Sequence, residues 1–103
     1  MTTPVWIDLR ALAEADATAR WYEARRPGHG AQFRLEIDHV LSRVAEHPEG
    51  YQPLSGTLRR AFTRRFPFVV VYRIAGGQVQ VIGVVPTQAD PTVVSLLMDA
   101  RAS

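Results

Sequence analysis

Twelve basic residues dominate the ionisable side chains of this chain, and every one of them is Arg, with no Lys. A guanidinium is a planar, permanently charged fork that binds phosphates and carboxylates but does not release its proton under protein conditions. The formal net charge is +2. These side chains can therefore bind an anionic partner, but they cannot act as general acids or bases.

Cleavage of RNA through its 2′-hydroxyl group requires a proton acceptor, a proton donor and a cation beside the phosphate. The histidines lie in or beside the second predicted helix, away from the predicted open face of the sheet: His29, His39 and His47. Tyr72 alternates with apolar residues of its strand, which favours a ring that faces the core. We therefore predict no catalytic residue and interpret the arginines as a binding surface.

The predicted basic face consists of arginines in the middle of the chain: Arg59, Arg60, Arg65 and Arg73. Arg73 interrupts an otherwise apolar strand on the side shared with Val69 and Val71, and alternation places Arg59 and Arg60 on opposite sides of their strand. We expect Arg73 and one of this pair to meet on an open sheet face, with Arg65 in the adjoining turn. Paired charges at strand ends also protect sheet edges from aggregation, which is the structural alternative.

The sequence predicts neither a metal site nor a cofactor. Without Cys there are no disulfides and no thiolate ligands, and His39 and His47 are separated by Arg43, a poor setting for a divalent cation. The Gly-rich segment at residues 27–30 lacks the preceding strand and the Lys of a phosphate loop. Trp21 and Tyr22 are instead predicted to form a docking point for a protein partner, because large amphipathic rings are favoured at interfaces, and the alternative for at least one of the large aromatic side chains is packing in the core.

Helical periodicity predicts two helices after a short strand over residues 5–9. The first runs to Arg25, and the second carries an apolar stripe at steps of three and four residues: Phe33, Ile37, Val40, Leu41 and Val44. Pro27, Gly28 and Gly30 separate the two helices, and the second ends at His47 before Pro48. So short a break makes the pair an antiparallel hairpin.

Residues rich in Val and aromatic side chains predict strands at 58–63, 66–74 and 79–85. Gly76 and Gly77 form a tight turn between the last two strands. Asp90 then caps a final helix that begins at Pro91, and the residues predicted to face inward are Val94, Leu97 and Met98.

These elements predict one α+β domain over residues 1–103. It has an N-terminal strand, an antiparallel helical hairpin packed on one face of a largely antiparallel four-stranded sheet, and a short C-terminal helix, with the other sheet face open. The first ten residues lack a basic segment followed by an apolar stretch, and no run approaches the roughly 18 apolar residues of a membrane span. We expect a soluble, cytoplasmic protein that does not contact a membrane.

Several segments, in their order and spacing from Ala11 to Val94, resemble the RelE/ParE family of bacterial toxins. They are Trp21-Tyr22-Glu23, Pro27-Gly28, Glu46-His47-Pro48, Leu58-Arg59-Arg60, Arg65-Phe66-Pro67-Phe68, Val71-Tyr72-Arg73-Ile74, residues 81–85 and Asp90-Pro91. The resemblance implies a growth-arresting toxin of a type II toxin–antitoxin system, of the kind that stabilises plasmids, held silent by a cognate antitoxin. RelE-like members cut mRNA on the ribosome, whereas ParE-like members inhibit DNA gyrase without cleaving anything.

Two departures from the family pattern favour the ParE-like function. Many relatives have a His followed by paired arginines after the last strand, where this chain has Pro86, Thr87, Gln88 and Ala89, and no Tyr lies near its C-terminus. The leading hypothesis is a non-catalytic gyrase inhibitor whose basic face suits an antitoxin with an acidic tail. The alternatives are a ribosome-dependent mRNA endoribonuclease, a diverged non-toxic partner of an antitoxin, and a plain nucleic-acid-binding domain.

Overall fold

Residues 2–102 are described by the computed structural model, and within them the chain forms five β-strands and three α-helices. The elements in chain order are β1 (Val5–Ile7), α1 (Leu9–Arg25), α2 (His29–Glu46), β2 (Gln52–Ser55), β3 (Leu58–Phe62), β4 (Phe68–Ala75), β5 (Gln78–Pro86) and α3 (Pro91–Ala102). A 3-10 turn at Pro48–Gly50 links α2 to β2. No helix in this part of the chain is long and apolar enough to cross a membrane.

The strands form one sheet in the order β1-β5-β4-β3-β2, in which β1 runs parallel to β5 and the other neighbours are antiparallel. The predicted α+β class is confirmed, but the prediction of four strands was wrong by one, since β2 was missed. β2 has four residues, includes Pro53 and pairs only with β3. Pro lacks a backbone N–H, which an edge strand tolerates because one side of it is unpaired. Such a segment can therefore form a strand although its sequence lacks the usual strand pattern.

The ends of the elements follow from local hydrogen bonds and backbone angles. The first strand ends at Ile7 rather than at residue 9 because Asp8 caps α1: its carboxylate accepts a bond from the Arg10 N–H at 2.8 Å. Gly76 and Gly77 have φ angles of 59° and 73°, the left-handed values that a two-residue hairpin between β4 and β5 requires.

One sheet face packs against the helical hairpin, as the periodicity of the second helix predicted. The α2 side chains Phe33, Val40 and Val44 are buried against Val70 and Tyr72 of β4, in the same core cluster. Val69 and Val71 alternate with Val70 and Tyr72 along β4, so their side chains point to the opposite face of the sheet, where they belong to a different core cluster.

The opposite sheet face is not open, because α3 covers much of it. Val94 and Met98 pack there with residues of three strands: Leu58, Val69, Val71, Ile82 and Val85. The prediction that Leu97 faces inward was wrong, since Leu97 is 46% exposed. Val93 and Leu96 of the same helix are also exposed. Apolar residues occur on more than one side of this helix, so periodicity did not identify the buried side. The Asp90 cap is present, with its carboxylate accepting a bond from Thr92 N at 2.8 Å.

An ion pair joins α3 to α1 beside β5. Arg101 donates to Glu14 over 2.8 and 2.9 Å and to the carbonyl oxygen of Ile82 over 3.1 Å, while Glu14 also accepts the N–H of Val84 at 3.0 Å. Only 11% of the Arg101 side chain and 26% of the Glu14 side chain are exposed. This Glu14–Arg101 pair helps to fix the end of α3 beside β5, together with a bond from the Arg10 guanidinium to the Arg101 carbonyl oxygen at 3.2 Å.

Candidate binding surfaces

An apolar groove of about 710 Å³ opens between α1 and the ends of β4 and β5. Its lining residues, here called the apolar groove, are Glu14, Ala17, Thr18, Trp21, Tyr22, Pro67, Phe68, Val84, Val85, Pro86 and Gln88. Both residues predicted to dock a partner, Trp21 and Tyr22, are in this set. The groove therefore places the predicted docking pair on a concave, mainly apolar surface, the shape that buries a partner side chain well.

Trp21 forms an exposed wall of the groove. Its side chain is 51% exposed, and the guanidinium carbon of Arg25 lies 3.5 Å from the centre of the indole ring. Arg25 also donates to the Trp21 carbonyl oxygen at 3.1 Å, one helical turn away. This cation–π contact holds the ring against α1 while leaving much of its apolar surface open.

Tyr22 is the half-buried floor of the groove. Its ring contacts Phe66 at 4.8 Å, His29 at 5.1 Å, Phe33 at 5.7 Å and Phe68 at 6.3 Å between centroids. Burial raises the pKa of the Tyr22 phenol. Neighbouring residues on one helix thus have different roles, since Trp21 presents surface and Tyr22 ties the groove to the core.

The four arginines of the predicted basic face do not form one patch. Arg59 lies opposite Tyr72 on the hairpin face, and its guanidinium donates to the carbonyl oxygens of Tyr51 at 2.8 Å and Glu49 at 3.2 Å. These bonds tie the loop after α2 to β3. Arg59 is therefore separated from the arginines of the other face, and its geometry favours a structural role.

Arg60 and Arg73 share the face that carries α3. Arg60 lies opposite Val71 and donates to the Gln52 side chain at 3.2 Å, and Arg73 lies opposite Gln80 and donates to its side chain at 2.9 Å. Of the Arg59–Arg60 pair, Arg60 is thus the member that shares a sheet face with Arg73, but Arg60 and Arg73 line separate concavities. Because α3 occupies much of this face, the two side chains lie beside the helix rather than on an open sheet.

Arg65 lies in the turn between β3 and β4, beside α2. It lines a second concavity of about 300 Å³, here called the basic hollow, with Gln32, Leu35, Glu36, His39, Arg43 and Arg64. The Glu36 carboxylate accepts the backbone N–H groups of Arg64 and, at 3.1 Å, Arg65. These bonds lower the pKa of Glu36, chiefly through the Arg64 N–H, with a smaller contribution from the nearby charges of Arg43 and His39.

Tyr72 lies in the hydrophobic core. Its side chain is fully buried among the core residues, as the strand alternation predicted, and its hydroxyl donates to the Pro48 carbonyl oxygen. Burial raises the pKa of Tyr72 to about 12. Within residues 2–102 no group of three or more His, Asp or Glu side chains is positioned to hold a metal ion.

Sequence reasoning missed two parts of these surfaces. The strand side of the apolar groove comes from Pro67, Phe68, Val85 and Pro86, which are distant from Trp21 in sequence and carry no pattern that predicts their meeting. The helix side of the basic hollow was detectable, since Glu36, His39 and Arg43 are spaced at three and four residues and so share one side of a helix.

A solved structure described as the chromosomal ParDE TA system from P. aeruginosa is similar to this chain with a TM-score of 0.74 and 18% sequence identity, covering 82% of this chain and 96% of that chain. At that identity the likeness shows the fold alone. Among curated proteins, none matches this sequence.

The family model for the ParE toxin of the type II toxin–antitoxin system, parDE, matches residues 5–91. The chain therefore belongs to the ParE toxin family, which confirms the resemblance drawn from its sequence.

Proposed function

We propose that this ParE-family toxin inhibits DNA gyrase by binding it, without catalysing a covalent step, and that its cognate antitoxin silences it by docking in the apolar groove. The observation that carries the proposal is the groove itself, an open apolar concavity with an exposed Trp in a chain of the ParE family. The family match supports the ParE-like function over the RelE-like function considered from the sequence.

The antitoxin is the partner that the apolar groove suits. An antitoxin segment that places an apolar side chain between Trp21 and Phe68 would bury both rings, and aromatic side chains in such pockets carry much of the binding energy of interfaces. The Arg25 guanidinium held over Trp21 adds a positive charge at the rim. A segment with apolar anchors and flanking acidic residues is therefore the expected ligand.

The non-catalytic mode is supported by the state of the residue best suited to proton transfer. Tyr72 neighbours Arg73 in sequence, but its phenol is buried on the other sheet face and already donates to Pro48. The arginines that share the α3 face, Arg60 and Arg73, remain as fixed cations. We propose that these two contact the target by charge and hydrogen bonding.

A supercoiling assay with purified gyrase tests this mode of action. The toxin is expected to inhibit supercoiling, and the double variant Arg60→Gln/Arg73→Gln is expected to need at least ten times more protein, because it removes two charged hydrogen-bond donors from the proposed interface. Unchanged supercoiling at high toxin concentration would remove gyrase as the target. Site-specific cleavage of mRNA in a translation extract would replace it with the RelE-like activity.

Antitoxin docking is tested separately by binding of the product of an adjacent small gene. Trp21→Ala is expected to weaken binding by roughly 2 kcal/mol or more, as for an aromatic anchor at an interface. Leu35→Ala is the matched control, since Leu35 is also an exposed apolar side chain but lines the basic hollow instead. Equal losses in the two variants would place the antitoxin elsewhere.

A further inference from the structure

The basic hollow concentrates positive charge that the proposed function does not use. Three guanidinium groups, those of Arg43, Arg64 and Arg65, line it with the single carboxylate of Glu36, which leaves an excess of two positive charges before His39 is counted. The ion pairs that the structure shows within residues 2–102 engage other arginines: Arg10, Arg34 and Arg101. The three guanidinium groups of the hollow are thus open to an external anion.

The turn that carries two of these arginines is held in place before any ligand binds. The hydroxyl of Thr63, which is buried, can donate its one proton to the carbonyl oxygen of Phe66 or to that of Phe68, the latter at 3.1 Å, and the Thr63 N–H donates to the Phe68 carbonyl oxygen at 3.1 Å. Glu36 accepts the N–H groups of Arg64 and Arg65 and so fixes the turn to α2. Because the backbone is fixed from both sides, less conformational entropy is lost when the side chains engage a ligand.

The lining of the hollow favours phosphate over a protein partner. A protein anchors on aromatic or aliphatic side chains, and of the described residues that line the hollow only Leu35 is apolar. Guanidinium forks match phosphate oxygens in pairs, and Gln32 and His39 add hydrogen-bonding groups. Arginines on two elements, α2 and the β3–β4 turn, can engage neighbouring phosphates of one chain.

We propose that the basic hollow binds the phosphate backbone of a nucleic acid. The surface lies between α2 and the β3–β4 turn and shares no lining residue with the apolar groove, so the nucleic acid and the antitoxin would contact different residues of the toxin. The proposal does not depend on gyrase inhibition, since it concerns arginines other than Arg60 and Arg73.

Fluorescence anisotropy of a labelled DNA duplex, titrated with the full chain, tests the proposal. Arg64→Gln/Arg65→Gln keeps the backbone N–H groups that Glu36 accepts, so the turn is retained while two cations are removed. This variant is expected to weaken binding about tenfold or more and to reduce the slope of log K against log salt by about 0.9 for each phosphate that is no longer neutralised. Arg60→Gln/Arg73→Gln, which removes the same amount of charge from the α3 face, is the matched control and should bind within about twofold of the parent.

The ring protons of the histidines provide a local readout by NMR. His39 lines the hollow, whereas His29 packs against Tyr22 and Phe66. On addition of the duplex the His39 signals, assigned by their absence in His39→Gln, should shift more than those of His29. Inorganic phosphate and a mononucleotide, added separately, show whether one phosphate suffices or a chain of them is needed.

Each contrary result has a defined meaning. Equal weakening by the two double variants would show that diffuse charge, not the hollow, attracts DNA. Binding of a poly-glutamate peptide in preference to the duplex would assign the hollow to an acidic protein segment. Binding of inorganic phosphate alone would reduce it to a simple anion site, and each of these outcomes would overturn the proposal. Gyrase inhibition by the parent toxin is measured separately in the supercoiling assay, so the two proposals can fail independently.

Discussion

Of the ion pairs described above, we expect the loss of the Glu14–Arg101 pair to lower the free energy of unfolding the most. Removing one member of a buried ion pair typically destabilises a protein by about 3 to 5 kcal/mol, because the remaining charge loses its compensation. Here 11% and 26% of the two side chains stay exposed, and water will stabilise part of the remaining charge. We expect Arg101→Met to lower the free energy of unfolding by about 2 to 3 kcal/mol, and the melting temperature by roughly 10 to 20 °C.

Urea and thermal unfolding, followed by circular dichroism, measure this change. Arg34→Met is the matched control, because Arg34 pairs with Asp16 on the surface, where 52% and 41% of the side chains are exposed. An exposed pair of this kind contributes less than about 1 kcal/mol. In the double variant Glu14→Gln/Arg101→Met the amide can still accept the Val84 N–H, and we expect a loss of stability at least ~1 kcal/mol smaller than the sum of the single losses.

Equal effects of Arg101→Met and Arg34→Met would contradict this expectation, and so would single losses of Glu14→Gln and Arg101→Met that add within about 0.5 kcal/mol. Either result would mean that the Glu14–Arg101 pair contributes little to holding α3 in place. The expected coupling would instead show that the ion pair links α1, β5 and α3 into one cooperative unit.

Three further predictions concern stability. Gly83→Ala should destabilise the fold by about 1 to 3 kcal/mol, because the added methyl group would collide with the flexible end of Met98. Gly30→Ala should destabilise the fold more, because there the methyl group would collide with a backbone oxygen of α1. Urea unfolding of the two variants measures which loss of stability is larger. Burial raises the pKa of Tyr72 from 10.0 to about 12, so the stability linked to its neutral phenol is fully present below pH 10 and is lost as the pH rises toward 12. The free energy of unfolding of Tyr72→Phe should therefore depend less on pH in this alkaline range. The side-chain hydrogen bond from Arg10 lowers the pKa of Asp8 to about 2, so the ionised carboxylate stabilises the fold at pH values above about 4. This stability is lost as the pH falls from about 4 to about 2, and Asp8→Asn should therefore make unfolding less dependent on pH in acid.

The elements that the sequence predicted well are those whose signals are local. The stripe from Phe33 to Val44 marks α2, and the Val-rich runs joined by Gly76 and Gly77 mark the β4–β5 hairpin. Periodicity and turn chemistry act over a few residues, so they can be read without knowing the tertiary contacts. β2 gave no such signal because a short edge strand that contains Pro53 satisfies neither pattern.

The candidate surfaces were harder to predict because they depend on contacts between distant segments. Alternation correctly separated Arg59 from Arg60, but it could not show that α3 covers the face on which Arg60 and Arg73 lie. Which side of α3 is buried depends on the shape of the sheet surface beneath it, and Gly83 provides the space that Met98 occupies. Trp21 and Tyr22 were identified by residue type, while the strand ends that complete their groove were not.

The parallel pairing of β1 with β5 has a consequence for synthesis. β1 begins at Val5, but the strand that it pairs with begins at Gln78, so most of the chain must leave the ribosome before the first strand finds its place. Contacts so distant in sequence slow folding, since a long loop has to close before they form. A ribosome that stalls before β5 therefore yields a chain whose sheet is incomplete, and the complete sheet of this fold forms only after β5 has been synthesised.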